Sequence, residues 1–279
     1  MTNRLFVFGL GFSGGAIARR AKAAGWSVAG TVRGGDKAQQ LAAEGIETHL
    51  FDGTVPLPAR ALDGSSHVLC TIAPGTAGDP ALRTCAPLLR EARWLGYLST
   101  TGVYGNHDGG WVDETTPPNP GQPRSVERLA AERAWQAMGA TLFRLPGIYG
   151  PGRSAIDQVK AGTARRIDKP GQVFSRIHVE DIATTVLAAI TRPSPGAIYN
   201  VADDLPAPNA EVIAYACELL ALPAPPLVPW DEIASTLSAM ARSFYAENRR
   251  VRNDRIKHEL GVTLRYPTYR EGLRAIANA

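Results

Sequence analysis

Cysteine is scarce in this chain. The 279 residues hold three, Cys70, Cys85 and Cys217, an odd number without the spacing of a redox pair or a zinc site. This excludes a disulfide framework and predicts reduced thiols and a cytoplasmic location. The five histidines are scattered without a ligand pattern, so no metal site is expected. Long apolar runs are missing too, and no stretch spans a membrane. The opening run "LFVFGLGFSGGAIA" has the apolarity of a signal-peptide core, but it carries four glycines and no small-residue cleavage site follows. A buried strand and turn is the better reading. Nor is there a large excess of one charge. Thirty basic residues stand against 26 acidic ones, a formal +4 that suits a small anionic ligand and is too weak for nucleic acid. The most basic segment, "ENRRVRNDRIK" (247–257), is broken by acids and reads as a solvated helix face.

What is present is an alternation. Apolar runs "RLFVFG", "WSVAGTV", "IETHLF", "HVLCTIA", "LGYLST" and "ATLFRLP" are separated by "SGGAIARRAKAAG", "DKAQQLAAEG", "DPALRTCAPLLREAR" and "VERLAAERAWQAMG". Strands alternating with helices predict an α/β fold of the Rossmann type, a doubly wound parallel sheet with helices on both faces. Gly25, Gly45 and Gly139 stand where helices should stop, Asp36 and Asp79 where they should start. The opening of "PRSVERLAAE" (123–132) reads as a helix start with a serine available as a cap. The pattern breaks at 103–123, "VYGNHDGGWVDETTPPNPGQP", a long loop of the kind that rims a site. After "RLPGIYGPGRS" it becomes irregular, with a helix at "VEDIATTVLAAI" and a strand at "AIYNVA". We read residues 1–147, rejoined by 176–203, as a dinucleotide-binding core, and 148–175 with 204–279 as a small C-terminal substrate lobe.

The basis for a dinucleotide is "VFGLGFSGGAIARR". Gly9, Gly11 and Gly14 have GxGxxG spacing between the first strand and its helix, with Phe12 and Ser13 on the turn. Such glycines permit the tight turn, the approach of a pyrophosphate and close helix–strand packing, while the helix N-terminus offers free N–H groups. Residues 11–15 also spell GxSxG, the nucleophile elbow of hydrolases. That elbow normally follows several strands, and only ten residues precede Gly11. The second strand ends "GTVRGGD". Arg33 there suits the 2′-phosphate of NADP, whereas NAD sites carry a carboxylate; Asp36 is the rival, but it lies beyond two glycines.

The motifs "GLGFSG", "YLSTTGVYG", "VDETTPPNP", "RLPGIYGPGR", "RIHVEDIA" and "YNVADD", in this order, resemble the extended short-chain dehydrogenase/reductase family of NAD(P)-dependent epimerases and dehydratases. The resemblance covers nearly the whole chain. It implies a dinucleotide across the carboxyl edge of the sheet, bordered also by Asp52, Ala73, Pro146 and Ile148, and a substrate cleft beneath the C-terminal lobe. It further implies a hydroxyl that polarises the substrate, here Thr100, and a Tyr-x-x-x-Lys pair. That pair falls on "RSVER", which places Arg124 at the tyrosine and Arg128 at the lysine. A guanidinium stays charged and cannot exchange protons as a phenol does. Arg128 retains the positional half of the lysine's work, as a contact to the cofactor ribose. The proton would then pass through Tyr104, Tyr149, His107 or a water held by Thr100 and Thr101. Arg124, Arg153 and Arg176 are expected to meet an anionic small-molecule substrate. The function expected is an NADP-dependent oxidoreductase or epimerase/dehydratase-like enzyme; the alternative is a non-catalytic NADP(H)-binding redox sensor. The family also implies a homodimer through the helices at 79–93 and 124–138, with Leu88, Leu89, Leu129 and Trp135 as its seam.

Overall fold

A computed structural model describes residues 3–279. Its elements begin β1 (Arg4–Phe8), α1 (Phe12–Ala23), β2 (Ser27–Val32), α2 (Gly35–Ala43), β3 (Glu47–Leu50), β4 (His67–Cys70), α3 (Pro80–Cys85) and β5 (Trp94–Thr100). They continue β6 (Trp111–Val112), α4 (Pro123–Ala137), β7 (Thr141–Leu145), β8 (Gly147–Tyr149), α5 (Ala155–Lys160), β9 (Arg166–Asp168), β10 (Arg176–His178), α6 (Val179–Thr191) and β11 (Ile198–Asn200). The remainder is α7 (Asn209–Leu219), β12 (Leu227–Pro229), α8 (Trp230–Ile233), α9 (Ala239–Tyr245), β13 (Arg250–Val251), α10 (Asp254–His258) and α11 (Tyr269–Ala277).

Seven of the strands form one parallel sheet in the order β11-β7-β5-β4-β1-β2-β3, and every apolar run expected as a strand is in it. The order reverses at β1, between β4 and β2, which is where such sheets open a crevice at their carboxyl edge. Side chains alternate across the sheet. Leu5 and Val7 pack on one face with Ile17 of α1, Leu41 of α2 and Ile182 of α6; Phe6 and Phe8 pack on the other with Cys85, Ala131 and Trp135. A separate cluster joins α5, α7 and α11 through Ile156, Val212, Ile213 and Leu273. Within the C-terminal stretch, Ile256, Leu260, Val262 and Leu264 return to the sheet and pack with α6.

Gly25, Gly45 and Gly139 follow α1, α2 and α4 in left-handed backbone, with φ of 84°, 70° and 81°. Asp79 caps α3, its carboxylate accepting from Leu82 N at 3.0 Å. Other expectations need correcting. Asp36 does not cap α2; Gly34 holds that position and Asp36 lies in the first turn. The helix expected over 79–93 ends at Cys85 and tightens into a 3₁₀ turn at Ala86–Leu89, because Pro87 has no N–H to continue it. Segment 247–257 is no continuous helix: Arg250–Val251 pairs with β6, and only Asp254–His258 is helical. Leu89, Leu129 and Trp135 are buried within the monomer, so they form no dimer seam. The three cysteines are free and buried. Among the described residues no helix is long and apolar enough to cross a membrane.

Candidate functional site

The glycine turn is shaped for close approach. Gly9 has φ +94°, and a Cβ at Gly14 would fall 2.1 Å from Gly9 O, so the first helical turn lies directly on the end of β1. Thr31 of β2 fixes the turn, its hydroxyl accepting from Gly9 N at 2.8 Å and its carbonyl from Leu10 N at 2.8 Å. Gly11 lacks contact on its side-chain face, and no acidic residue or side-chain cap closes the helix start. Its first hydrogen bond runs from Gly15 N to Gly11 O at 2.8 Å, which leaves the N–H groups of Phe12, Ser13 and Gly14 without partners among the described residues. Unpaired donors at the positive end of a helix dipole suit a phosphate, and these residues therefore fit a dinucleotide.

The other residues expected at the cofactor stand along the same edge. Arg33 follows β2 and is exposed; Asp52 follows β3 and is exposed, its carboxylate accepting from the amide and hydroxyl of Thr54 at 2.8 and 2.7 Å. These hydrogen bonds hold the Asp52 carboxyl below its ordinary value. Ala73 follows β4, and Pro146 and Ile148 follow β7.

Beyond them a cavity of about 1110 Å³ lies between the sheet edge and the lobe. It is lined by Ala73, Thr100, Thr101, Pro146 and Ile148 on the sheet side and by Phe174, Phe244, Tyr245 and Tyr269 on the other. Arg124, Arg128, Arg153 and Arg176, read from the sequence, all line it, and so do Arg165 and Arg249, which sequence reasoning missed. Against these six arginines stand two carboxylates, Asp157 and Glu247, with no lysine or histidine. Arg153 reaches back to the glycine turn, its guanidinium 5.5 Å from the Phe12 ring centre. Arg176 donates to the carbonyls of Phe174 and Ala207 at 2.8 and 2.9 Å, and burial lowers its pKa.

The two arginines of "RSVER" part company. Arg124 points to the lobe, its Nη1 2.6 Å from Met240 Sδ and its guanidinium 4.6 Å from the Phe244 ring centre. Arg128 is half-buried against the sheet. Its Nη1 donates to Tyr97 Oη and Leu98 O at 3.0 Å and to Ile72 O at 3.3 Å. Helix α4 is held in this setting by a buried ion pair, Glu132 with Arg144 of β7, at 2.8 and 3.0 Å.

Tyr104 does not reach the cavity. It is fully buried, its hydroxyl donating to Asn200 Oδ1 at 2.8 Å and its ring beneath Arg144, so Tyr104 is structural and not catalytic as the sequence suggests. His107 is likewise outside the lining, its Nε2 3.1 Å from Tyr104 O. Tyr149 does line the cavity, but its hydroxyl is 3.4 Å from Thr268 O and burial pushes its pKa up. Ser125, available as a cap in the sequence, is three residues inside the N-cap Gln122 and lines the cavity instead. The i, i+3 spacing of Ser125 and Arg128 was the signal for that shared face.

A parallel sheet with this strand order, a glycine turn after β1 and a cavity at its carboxyl edge define a dinucleotide-binding Rossmann protein. Residues 82–202 match the model of the NAD dependent epimerase/dehydratase family. A functionally unknown conserved protein from Silicibacter pomeroyi is 50% identical, with 99% of each chain covered and a TM-score of 0.91. A 3-diazoavenalumate denitrifying reductase from Streptomyces is 28% identical over 242 residues, 84% of this chain and 70% of the reductase. The human epimerase family protein SDR39U1, solved with NADPH, is 18% identical at a TM-score of 0.76, with 99% of each chain covered.

Proposed function

We propose that the protein is an NADP-dependent oxidoreductase of the epimerase/dehydratase type that acts on an anionic small molecule. One observation carries this reading: the free helix start and the cavity edged by six arginines and two carboxylates lie along the same carboxyl edge. A dinucleotide would be held at its pyrophosphate by Gly9, Gly11, Phe12, Ser13 and Gly14, and bordered by Asp52, Ala73, Pro146 and Ile148. Arg33, exposed at the end of β2, would pair with a 2′-phosphate; solved structures of this fold hold NADPH in one case and NAD in others, so the choice of NADP rests on Arg33. When bound, the cofactor supplies or accepts a hydride. Thr100 orients the reacting oxygen, and Arg153 and Arg176 hold the acidic end of the substrate. A reductase among the relatives supports reduction as the direction.

A second reading, an NADP(H)-binding regulator without turnover, rests on Arg124, whose guanidinium is engaged with Phe244 at the position where the family carries tyrosine. One experiment separates them. Binding of NADPH and NADH is measured by calorimetry, then NADPH oxidation is followed against a panel of carboxylate-bearing carbonyl compounds. Tight NADPH binding with turnover supports the enzyme. Binding without any turnover favours the regulator, and equal affinity for the two cofactors refutes the NADP preference.

A further inference from the structure

The head of the cavity is built around Gly102. A Cβ there would stand 2.7 Å from Ser125 Oγ and 3.3 Å from Thr100 Oγ1, so two hydroxyls converge beside a bare Cα that lines the cavity. Thr100 Oγ1 already accepts from Gly102 N at 3.1 Å, which leaves its hydrogen for donation. Ser125 is only 3% exposed and lines the cavity, yet its hydroxyl has no partner among the described residues. Ser125 lies in the first turn of α4, so no earlier helical turn is there to take its hydroxyl. Arg128 shares the helix face of Ser125 and is anchored through Nη1 alone; the donors on Nε and Nη2 have no partner among the described residues. The two hydroxyls converge at Gly102, and the Arg128 guanidinium lines the same cavity one helical turn along, all with hydrogens unused.

The same cavity is poor in proton sources. Tyr149, Tyr245 and Tyr269 are its phenols, and burial raises the pKa of each. An acid works best when its pKa lies near the operating pH, so these shifts go the wrong way. Asp157 accepts from Ser154 Oγ at 2.6 Å, and Glu247 holds Arg249 at 2.7 Å.

We propose that Thr100, Ser125 and Arg128 form an anion hole that replaces proton donation. The substrate class that follows, which rests on the reading under Proposed function, is a conjugated carbonyl acceptor, an enone or quinone bearing an acidic group. The far carbon of its C=C–C=O unit takes a hydride from the reduced nicotinamide dinucleotide. The π pair of the C=C bond shifts toward the carbonyl, and the oxygen becomes an enolate held by the three side chains; with a quinone, the extra proton on the carbon that took the hydride then passes through water to the second oxygen, which leaves the hydroquinone monoanion. The acceptor gains two electrons, the dinucleotide loses them, and the balancing proton comes from water at the end. A saturated ketone would give a strongly basic alkoxide that needs a proton at once, which this cavity does not offer.

The test begins without cofactor, using para-nitrophenol, whose ionised form has its own absorption band. Bound to the protein, the phenol should ionise about one pKa unit below its solution value, a roughly tenfold preference for the phenolate. Ser125→Ala and Arg128→Met should each remove most of that shift and Arg128→Lys should keep part of it, with melting curves confirming the fold. Ligand bound as the neutral phenol, or a shift that survives Ser125→Ala, overturns the anion hole. With NADPH, a carboxylated quinone should be reduced at a rate that is flat from about pH 6 to 9, and Ser125→Ala should lower kcat by about 100-fold without changing NADPH affinity. A bell-shaped profile abolished by Glu247→Gln, or equal turnover of saturated keto acids, moves proton transfer to a residue and overturns the substrate class. Failure to bind NADPH at all refutes the proposed function instead, and the phenolate shift still judges the hole.

Discussion

Breaking the Glu132–Arg144 pair is the sharpest test of how the site is held. The pair is bidentate, Arg144 Nε to Glu132 Oε1 at 3.0 Å and Nη2 to Oε2 at 2.8 Å, with side chains 3% and 2% exposed. Arg144 Nη1 is buried without a hydrogen-bond partner, and no second carboxylate among the described residues pairs with the guanidinium, which otherwise meets only the Tyr104 ring at 4.8 Å. Glu132→Ala leaves a guanidinium that stays protonated, and removing one partner of a buried pair costs about 3–5 kcal/mol. At roughly 2–4 °C per kcal/mol for a chain of this size, the melting temperature should fall by on the order of 10 °C. Urea unfolding can be followed through Trp135, fully buried on α4 and stacked on Tyr97 at 5.7 Å. Glu132→Leu with Arg144→Met should recover most of the loss, because an apolar pair of similar volume carries no desolvation penalty. A loss below about 1 kcal/mol in Glu132→Ala, with an unchanged slope in urea, would refute the view that this pair fixes α4 to the sheet.

Other measurements follow from the same geometry. Gly14→Ala should abolish dinucleotide binding, since its Cβ would sit 2.1 Å from Gly9 O; full affinity by calorimetry would count against the turn. Arg33→Ala should weaken NADPH by about one to two orders of magnitude, the worth of a charge-assisted hydrogen bond, and leave NADH unchanged. Burial raises the Asp203 carboxyl from its ordinary value to about 8. In that window the folded state keeps a proton that the unfolded state has released, so stability falls as pH rises through it. Asp203→Asn should therefore melt higher than the parent at alkaline pH and lose that advantage in acid; parallel pH profiles would sink the assignment. Light scattering is expected to show a homodimer, and Val126→Asp on the exposed face of α4 should yield a monomer; a parent that is already monomeric at micromolar concentration ends the idea.

The five interior strands were legible because a parallel strand covered on both faces must be a nearly unbroken apolar run, and each such run kept to one strand's length; the edge strand β3, half exposed, was legible from its place in the alternation. The glycine turn was legible because its spacing is a local backbone requirement. What escaped depends on distant contacts. Ser125 has a good capping side chain, but Pro123 starts the helix two residues earlier and turns the serine inward. Tyr104 looked available in a loop, yet Asn200, 96 residues away, takes its hydroxyl. Arg249 sat in a segment that resembled a solvated helix; its bond to Gly105 O, across 144 residues, is what carries it to the cavity. Short-range pattern recovers elements and turns. It does not recover which charged residues of a returning lobe end up facing the sheet.

The cavity's six guanidinium groups against two carboxylates have a consequence for anyone who handles this protein. Phosphate, sulfate and chloride would share that basin by mass action, and each would multiply a substrate's apparent dissociation constant by one plus its concentration over its own constant. Groups half-shielded from solvent are screened less than surface charges, so the effect would track the identity of the buffer ion more than ionic strength. A search for substrates in phosphate would then be a competition experiment from the outset. In a living cell the same arithmetic would tie the protein's response to the standing pool of small anions.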